Sequence, residues 1–318
     1  MKLVSLVLLG LASFAGAQAQ SFPEKPIRIV STFPAGGAAD GMMRLVGQKM
    51  AESLGQPVVI DVRPGAGGVV GAQQVLNSPA DGYTLLHSAP TTLVATPFLL
   101  KKPPYDPLRD FTYITHLTDA TVCLLVANGV PISNVKELIA YARANPGKLS
   151  YGSNGVGASY HLEMELLKQK YRLDIVHVPY KGGLEGLQAA AAGQIPVAFA
   201  TVASAVPTAK SGKVRLLALM AAKRLPDVNL PAMGEELNDY EKIPTGDEIT
   251  GPAGMPRAVT QRLNAEIRKA LSGEEVATRL KQIGFVAAPN SPEEHAAQMR
   301  QALDIMGRAI KAAKIQPE

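Results

Sequence analysis

From residue 27 onward, short apolar runs rich in β-branched residues alternate with stretches whose apolar positions recur every three or four residues. The first kind reads as strand and the second as helix. Ile27 to Ser31 is the first predicted strand, followed by a Gly-rich turn and a helix from about Asp40 to Leu54, stopped by Gly55 and Pro57. Val58 to Val62 is the next strand, and a second helix ends near Asn77. Asp81-Gly82 marks a turn before a strand from Tyr83 to His87. The pattern restarts at Val122 to Val126. Asn134 and Glu137 form a capping-box-like start to a helix with Val135, Leu138, Ile139 and Ala142 on one face. Strands at 149–152, 175–178, 195–200 and 214–219 and helices at 158–170 and 184–192 complete a second unit. Further on, Val259, Leu263, Ile267 and Leu271 share one helix face, and Met299, Leu303, Met306 and Ile310 another. Residues 227–256 are turn-rich, and no element is predicted there.

This alternation predicts an α/β fold whose mainly parallel sheets carry helices on their faces. A chain of 318 residues exceeds a typical single core, and the restart near residue 120 predicts two lobes. The first twenty residues carry a different message. Lys2, the apolar run Leu3 to Phe14 and the small-x-small triplet Ala17-Gln18-Ala19 fit a secretory signal peptide over residues 1–19. That run falls short of the ~20 residues a membrane span needs. The net charge of +5 is mild and spread out, with no basic cluster interleaved with aromatics, which argues against a nucleic-acid partner. Cys123 is the only cysteine, so no intramolecular disulfide can form.

Candidate chemistry lies in the glycines. Pro34-Ala35-Gly36-Gly37, Pro64-Gly65-Ala66-Gly67-Gly68, Gly152-Ser153-Asn154-Gly155-Val156-Gly157 and Tyr180-Lys181-Gly182-Gly183 each follow a strand and open a helix. In parallel α/β sheets ligands bind at the carboxyl ends of strands, where the N–H groups of helix first turns favour anions. Each loop taken alone also fits a tight turn. Four such loops, two in each half, point to a shared cleft. No P-loop, dinucleotide fingerprint, nucleophile elbow or metal-ligand spacing occurs, so no cofactor and no metal are expected.

The titratable residues are scattered. His87 and His177 read as structural, and His116 and His295 as lacking an acidic or cysteine partner at ligand spacing. His161 either faces the cleft or packs and caps the loop before it. Asp40 is either a helix-start acid or a residue that fixes the first loop and senses ligand. Glu163 and Glu165, two apart on a helix, are assigned to a solvated surface.

These loops resemble a known family. Phe33 to Asp40 resembles the F-P-x-G-G-x-x-D signature of the tripartite tricarboxylate transporter substrate-binding, or Bug-type, receptors. Arg63 to Gly68, Asp81 to Leu86, Ala144 to Leu149 with Tyr151-Gly152-Ser153, His161-Leu162, Val178 to Gly183, Gly251 to Gly254 and Arg262-Leu263-Asn264 resemble further blocks in the expected order. The resemblance spans essentially the whole chain after residue 20. Two departures stand out: Phe199-Ala200-Thr201 where the family often has F-D-N, and no tryptophan between Tyr240 and Gly251.

The resemblance implies a periplasmic, two-lobed solute-binding protein. Residues 20–120 plus 221–318 form lobe 1 and 121–220 form lobe 2, with the chain crossing twice. It implies an organic-acid ligand held largely by backbone groups, and membrane transporter subunits as partners. The ligand-facing set is then Phe33, Pro34, Ala35, Gly36, Gly37, Asp40, Ser88, Ser153, Asn154, Gly155, Gly157, Ser159, His161, Tyr180, Lys181 and Thr201. Because Ala200 replaces an aspartate, the expected ligand has no free amino group. A monomer with no catalytic residues is expected. The alternatives are a ligand-sensing subunit of a signalling system and a secreted enzyme using the same cleft.

Overall fold

The computed structural model describes residues 22–225 and 228–317; residues 1–19, read from the sequence as a signal peptide, lie outside the described residues. In chain order, the first part runs β1 (Ile27–Ser31), α1 (Ala38–Leu54), β2 (Val58–Val62), α2 (Val69–Leu76), β3 (Thr84–Ser88), α3 (Pro90–Leu99) and β4 (Phe111–Ala120). The middle runs β5 (Val122–Ala127), α4 (Val135–Ala144), β6 (Leu149–Ser153), α5 (Ser159–Tyr171), β7 (Ile175–Pro179), α6 (Gly183–Ala191), β8 (Val197–Thr201), α7 (Val202–Lys210) and β9 (Val214–Leu219). The last part runs α8 (Met233–Glu236), β10 (Asp247–Pro252), α9 (Arg257–Leu271), α10 (Glu274–Ile283), β11 (Phe285–Ala287) and α11 (Pro292–Ala312).

The strands form two sheets, ordered β11-β4-β10-β3-β1-β2 and β7-β6-β8-β5-β9. Both are mixed, which corrects the expectation of mainly parallel sheets. β1 is parallel to β2 and β3, but β10 is antiparallel to β3 and β4, and β11 to β4. In the second sheet β6 is parallel to β7 and β8, while β5 is antiparallel to β8 and β9. The physical reason is the crossovers. A strand entering a sheet straight from the other sheet has no βαβ helix to return it to the starting edge, so β5 and β10 run backwards.

Period-two alternation sends residues to both faces of each sheet. Ile27 and Ile29 pack with Met42, Met43, Val46 and Met50 of α1, while Val30 and Leu86 pack with Met299 and Met306 of α11. In the second sheet Leu124 and Val126 face α4 and α5, and Cys123 and Leu125 face α6 and α7. Cys123 is buried, and burial pushes its thiol up to about 12, so it behaves as a small apolar core residue.

Sheet membership changes between Ala120 and Val122 and again between Leu219 and Asp247. Thr121 ties the first crossing to both sides: its N–H donates to Gly284 O at 2.8 Å, and its carbonyl accepts from Val202 N–H at 2.8 Å. The second crossing is long. Met233 and Leu237 belong to the core of the second sheet, whereas Ile243 belongs to that of the first, so by packing the chain returns between 237 and 243. Helix α5 is shared: Met164 and Leu167 face the second sheet, and Leu162 lies in the core beneath α11.

Candidate functional site

Register fixes which loops are neighbours. Ser31 pairs with Val62 and with His87, so the loops after β1, β2 and β3 leave one edge of the first sheet. Ser153 pairs with Pro179 and Gly152 with Ala198, so the loops after β6, β7 and β8 leave one edge of the second. The Thr121 crossing joins these two edges. From it outward, the order is β3, β1, β2 in one sheet and β8, β6, β7 in the other. The middle pair of loops is therefore 33–37 and 153–159.

The first of these loops is braced from within. Gly36, at φ 78°, donates its N–H to Asp40 Oδ2 at 2.9 Å. Asp40 is buried and also ion-paired with Arg44 at 3.0 Å. Burial pushes the Asp40 carboxyl up, but Arg44 and the Gly36 N–H outweigh this and hold it below its usual value. Asp40 is thus both a first-turn acid and the residue that fixes the loop. Gly37 caps α1 without any side-chain acceptor. Phe33 rests on the buried His87 ring with centroids 4.8 Å apart. His87 is held by Ser31 Oγ at 3.0 Å, in keeping with its structural reading.

The second loop is a hydrogen-bonded knot. Ser153 Oγ lies 2.6 Å from His177 Nε2 and accepts the Gly155 N–H at 3.1 Å. Asn154 Oδ1 takes the Tyr160 N–H at 3.1 Å, and its Nδ2 reaches Ser159 Oγ at 3.4 Å. His161 Nδ1 accepts the Gly157 N–H at 2.9 Å. His161 therefore both caps the loop and stacks flat on His177, with 3.9 Å between centroids. Burial lowers both imidazoles below their ordinary values; for His177, with His161 as a second cause, the value falls to about 4. Both rings are neutral near pH 7.

The remaining predicted residues are less alike. The Tyr180 ring packs on the Gly152 backbone, where a Cβ would come within 3.1 Å of it. Lys181 is exposed, and its N–H is held by Glu185 at 2.9 Å. Thr201 packs at the crossover, where a Cβ on Gly284 would come within 2.9 Å of its own Cβ. Ser88 is fully buried and, among the described residues, its side chain reaches only Glu248 Oε1, at 3.4 Å, so it lies under the rim rather than on it. Among the described residues, no hydrogen bond or ion pair joins the 33–37 loop to the 153–159 loop. A Cβ on Gly157 would instead approach Ile315 and Leu99 at 3.8 and 3.9 Å.

Several sequence readings need correction. Glu163 and Glu165 are buried, not solvated. Glu163 accepts from the Tyr240 hydroxyl and from Ile243 N–H, and Glu165 from the Tyr151 hydroxyl at 2.9 Å. His295 and His116 do have acidic partners, Glu248 at 2.9 Å and Asp119 at 3.2 Å. Ala200 points into the core beside Cys123, so its lack of a carboxylate bears on packing rather than directly on the ligand. The Ser153–His177 pair escaped the sequence reading because 24 residues separate its members. Ser153 is 1% exposed, which leaves its hydroxyl no access as a nucleophile.

Comparison with known proteins agrees with this architecture. Residues 42–315 match the family model described as tripartite tricarboxylate transporter family receptor. The chain is 36% identical over 296 residues to the UPF0065 protein in the tcbD-tcbE intergenic region of a Pseudomonas species, covering 90% of this chain and 88% of that protein. It is similar to the solved structure of an R. palustris protein with adipate, at 29% identity and a TM-score of 0.74, over 93% of this chain and 100% of that one. It is also similar to MatC of Rhodopseudomonas palustris with bound malate, at 29% identity and a TM-score of 0.69, over 91% and 100% of the two chains.

Proposed function

The chain belongs to the tripartite tricarboxylate transporter receptor family, and from that premise we propose that it captures a small organic carboxylate between the 33–37 and 153–159 loops. Family membership makes it a periplasmic solute-binding protein, not an enzyme. One observation carries the finer reading: α1 opens from a braced glycine loop with no side-chain acceptor on its first-turn N–H groups. A free first turn is an anion site that needs no arginine. The relatives solved with adipate and malate support a dicarboxylate as the first class to test.

Asp40 supports a ligand without an ammonium group, because its charge is already spent on Arg44 and the Gly36 N–H. A buried ammonium without a partner costs several kcal/mol. In this reading lobe 1 is 20–120 plus 221–318 and lobe 2 is 121–220. Capture works by lobe closure about Thr121, and the monomer, exported with residues 1–19 removed, delivers ligand to membrane transporter subunits.

A thermal-shift screen against matched pairs, succinate with aspartate and glutarate with glutamate, tests this. Ligand at ~100 times its dissociation constant stabilises by about 2.7 kcal/mol. A response to the dicarboxylates that disappears in Gly36→Val is the expected result. Tenfold tighter binding of either amino acid, about 1.4 kcal/mol, overturns the ammonium argument, and an unchanged response in Gly36→Val overturns the site.

A further inference from the structure

A second cavity lies beside the knot, and no residue of the 33–37 loop lines it. It measures about 930 Å³ and is walled by α5 and the 153–159 loop on one side and by the end of α11 with residues 312–317 on the other. That volume is within the usual range for small-molecule sites. Its lobe-one wall is firmly built. Lys314 turns back at φ 54°, its N–H bonded to Lys311 O at 3.1 Å and the Ile315 N–H to Ile310 O at 3.3 Å. This turn places Ile315 against the core under α11.

The lining has a definite chemistry. His161 is 5% exposed and its Nδ1 is committed as an acceptor from Gly157. In the neutral ring the proton therefore sits on Nε2, which has no hydrogen-bond partner among the described residues and makes His161 a donor at the cavity wall. Lys168 is neutralised by Glu165 at 2.6 Å. Lys101 and Lys314 also line the cavity, exposed and, among the described residues, outside any ion pair. Val156, at 67% the most exposed large apolar residue among those described, lines it as well, as do Ile315 and Pro317. Unpaired cations, a buried neutral donor and apolar walls together suit an organic anion with an apolar body. A compact, highly hydrated dicarboxylate would leave Val156 and Ile315 unused.

We propose that this cavity is a second ligand site, distinct from the 33–37 rim, which takes a monocarboxylate with an apolar body. The site spans both lobes, since α5 follows a strand of the second sheet and α11 packs on the first. Its occupant would bridge them.

The test is calorimetric titration with benzoate and hexanoate as probes. Wild type, Lys101→Glu/Lys314→Glu and Gly36→Val are compared, with circular dichroism confirming that each is folded. Both lysines are exposed, so their reversal leaves the core intact. The expected result is a saturable event in wild type that weakens at least tenfold, about 1.4 kcal/mol, in the double lysine variant and persists in Gly36→Val. Dicarboxylate binding should show the reverse pattern. Probe binding lost in Gly36→Val but kept in the lysine variant overturns the second site and leaves the rim reading standing. If every acid tested depends on the lysines and none on Gly36, the rim reading fails and this one stands. No saturable event at millimolar probe overturns the proposal.

Discussion

His161 and His177 lie face to face, their ring centroids 3.9 Å apart and their planes inclined by only 7°. Tyr151 also stacks against His177, with centroids 5.0 Å apart. The stack holds the second loop through both ends, since His177 reaches Ser153 and His161 holds Gly157. Two parallel imidazoles in contact tolerate no second charge, which makes the loop sensitive to acid.

The sign follows from linkage. Burial and His161 lower His177 to about 4, against an ordinary value near 6.5, so the unfolded chain binds more protons between these limits. Stability from this residue is complete above pH ~6.5 and is lost as pH falls towards about 4. The slope reaches at most about 1.4 kcal/mol per pH unit. Glu165 opposes and Lys168 reinforces the shift. Thermal unfolding from pH 4 to 7 should show a flatter acid limb in His177→Gln than in wild type. An unchanged limb would mean the stack does not titrate.

Glu163 should act in the opposite direction. Burial against the 237–243 segment pushes its carboxyl up to about 8, with Tyr240, Lys242 and Ile243 only partly offsetting it. An acid whose folded value is raised contributes stability at low pH that is lost as pH rises from about 4.5 through 8. Glu163→Gln should remove this loss while keeping the side chain's shape, and Tyr240→Phe should cost about 1–3 kcal/mol by leaving the buried carboxyl without its donor. Denaturant midpoints at pH 5 and 8 read both effects.

The second crossing ends at Gly246, which cannot accept a side chain. Its φ is 88°, and a Cβ would sit 1.7 Å from Thr118 O. Gly254 has nearly the same φ, 85°, with nothing within 4 Å. Gly254→Ala should therefore cost only the backbone strain, about 1–2 kcal/mol. Gly246→Ala should cost clearly more, on the order of 3 kcal/mol or above, because the backbone itself must move. Urea unfolding of the two variants measures the difference, and equal losses would refute the steric argument.

Export is tested at the N-terminus. Cleavage after Ala19 should give a mature protein that begins at Gln20, with Ala17 as the weaker alternative site. N-terminal sequencing of periplasmic protein decides between them. Intact chains beginning at Met1 and confined to the cytoplasm would contradict export.

The sequence alone determined what local rules govern. Apolar periodicity located β1, β2, β5 and the two C-terminal helix faces within a residue or two. Gly55 was legible as a helix stop because only a residue tolerant of φ 67° closes α1 there. The glycine loops, in order, identified the family. Other elements were not legible. α3 and α7 carry Pro97 and Pro207 near their ends, which masks helical periodicity. β10 reads Asp-Glu-Ile-Thr-Gly-Pro, whose buried acids look like a loop until His295 lies 2.9 Å from Glu248. What only the tertiary structure decided has one cause: partners chosen across the fold. Glu163 meets Tyr240 across 77 residues and His177 meets Ser153 across 24. Strand direction in each sheet was set by where the chain crosses over, and the second cavity by where residues 312–317 turn back. A period of two or 3.6 says which face a residue occupies, but what lies against that face depends on residues far along the chain.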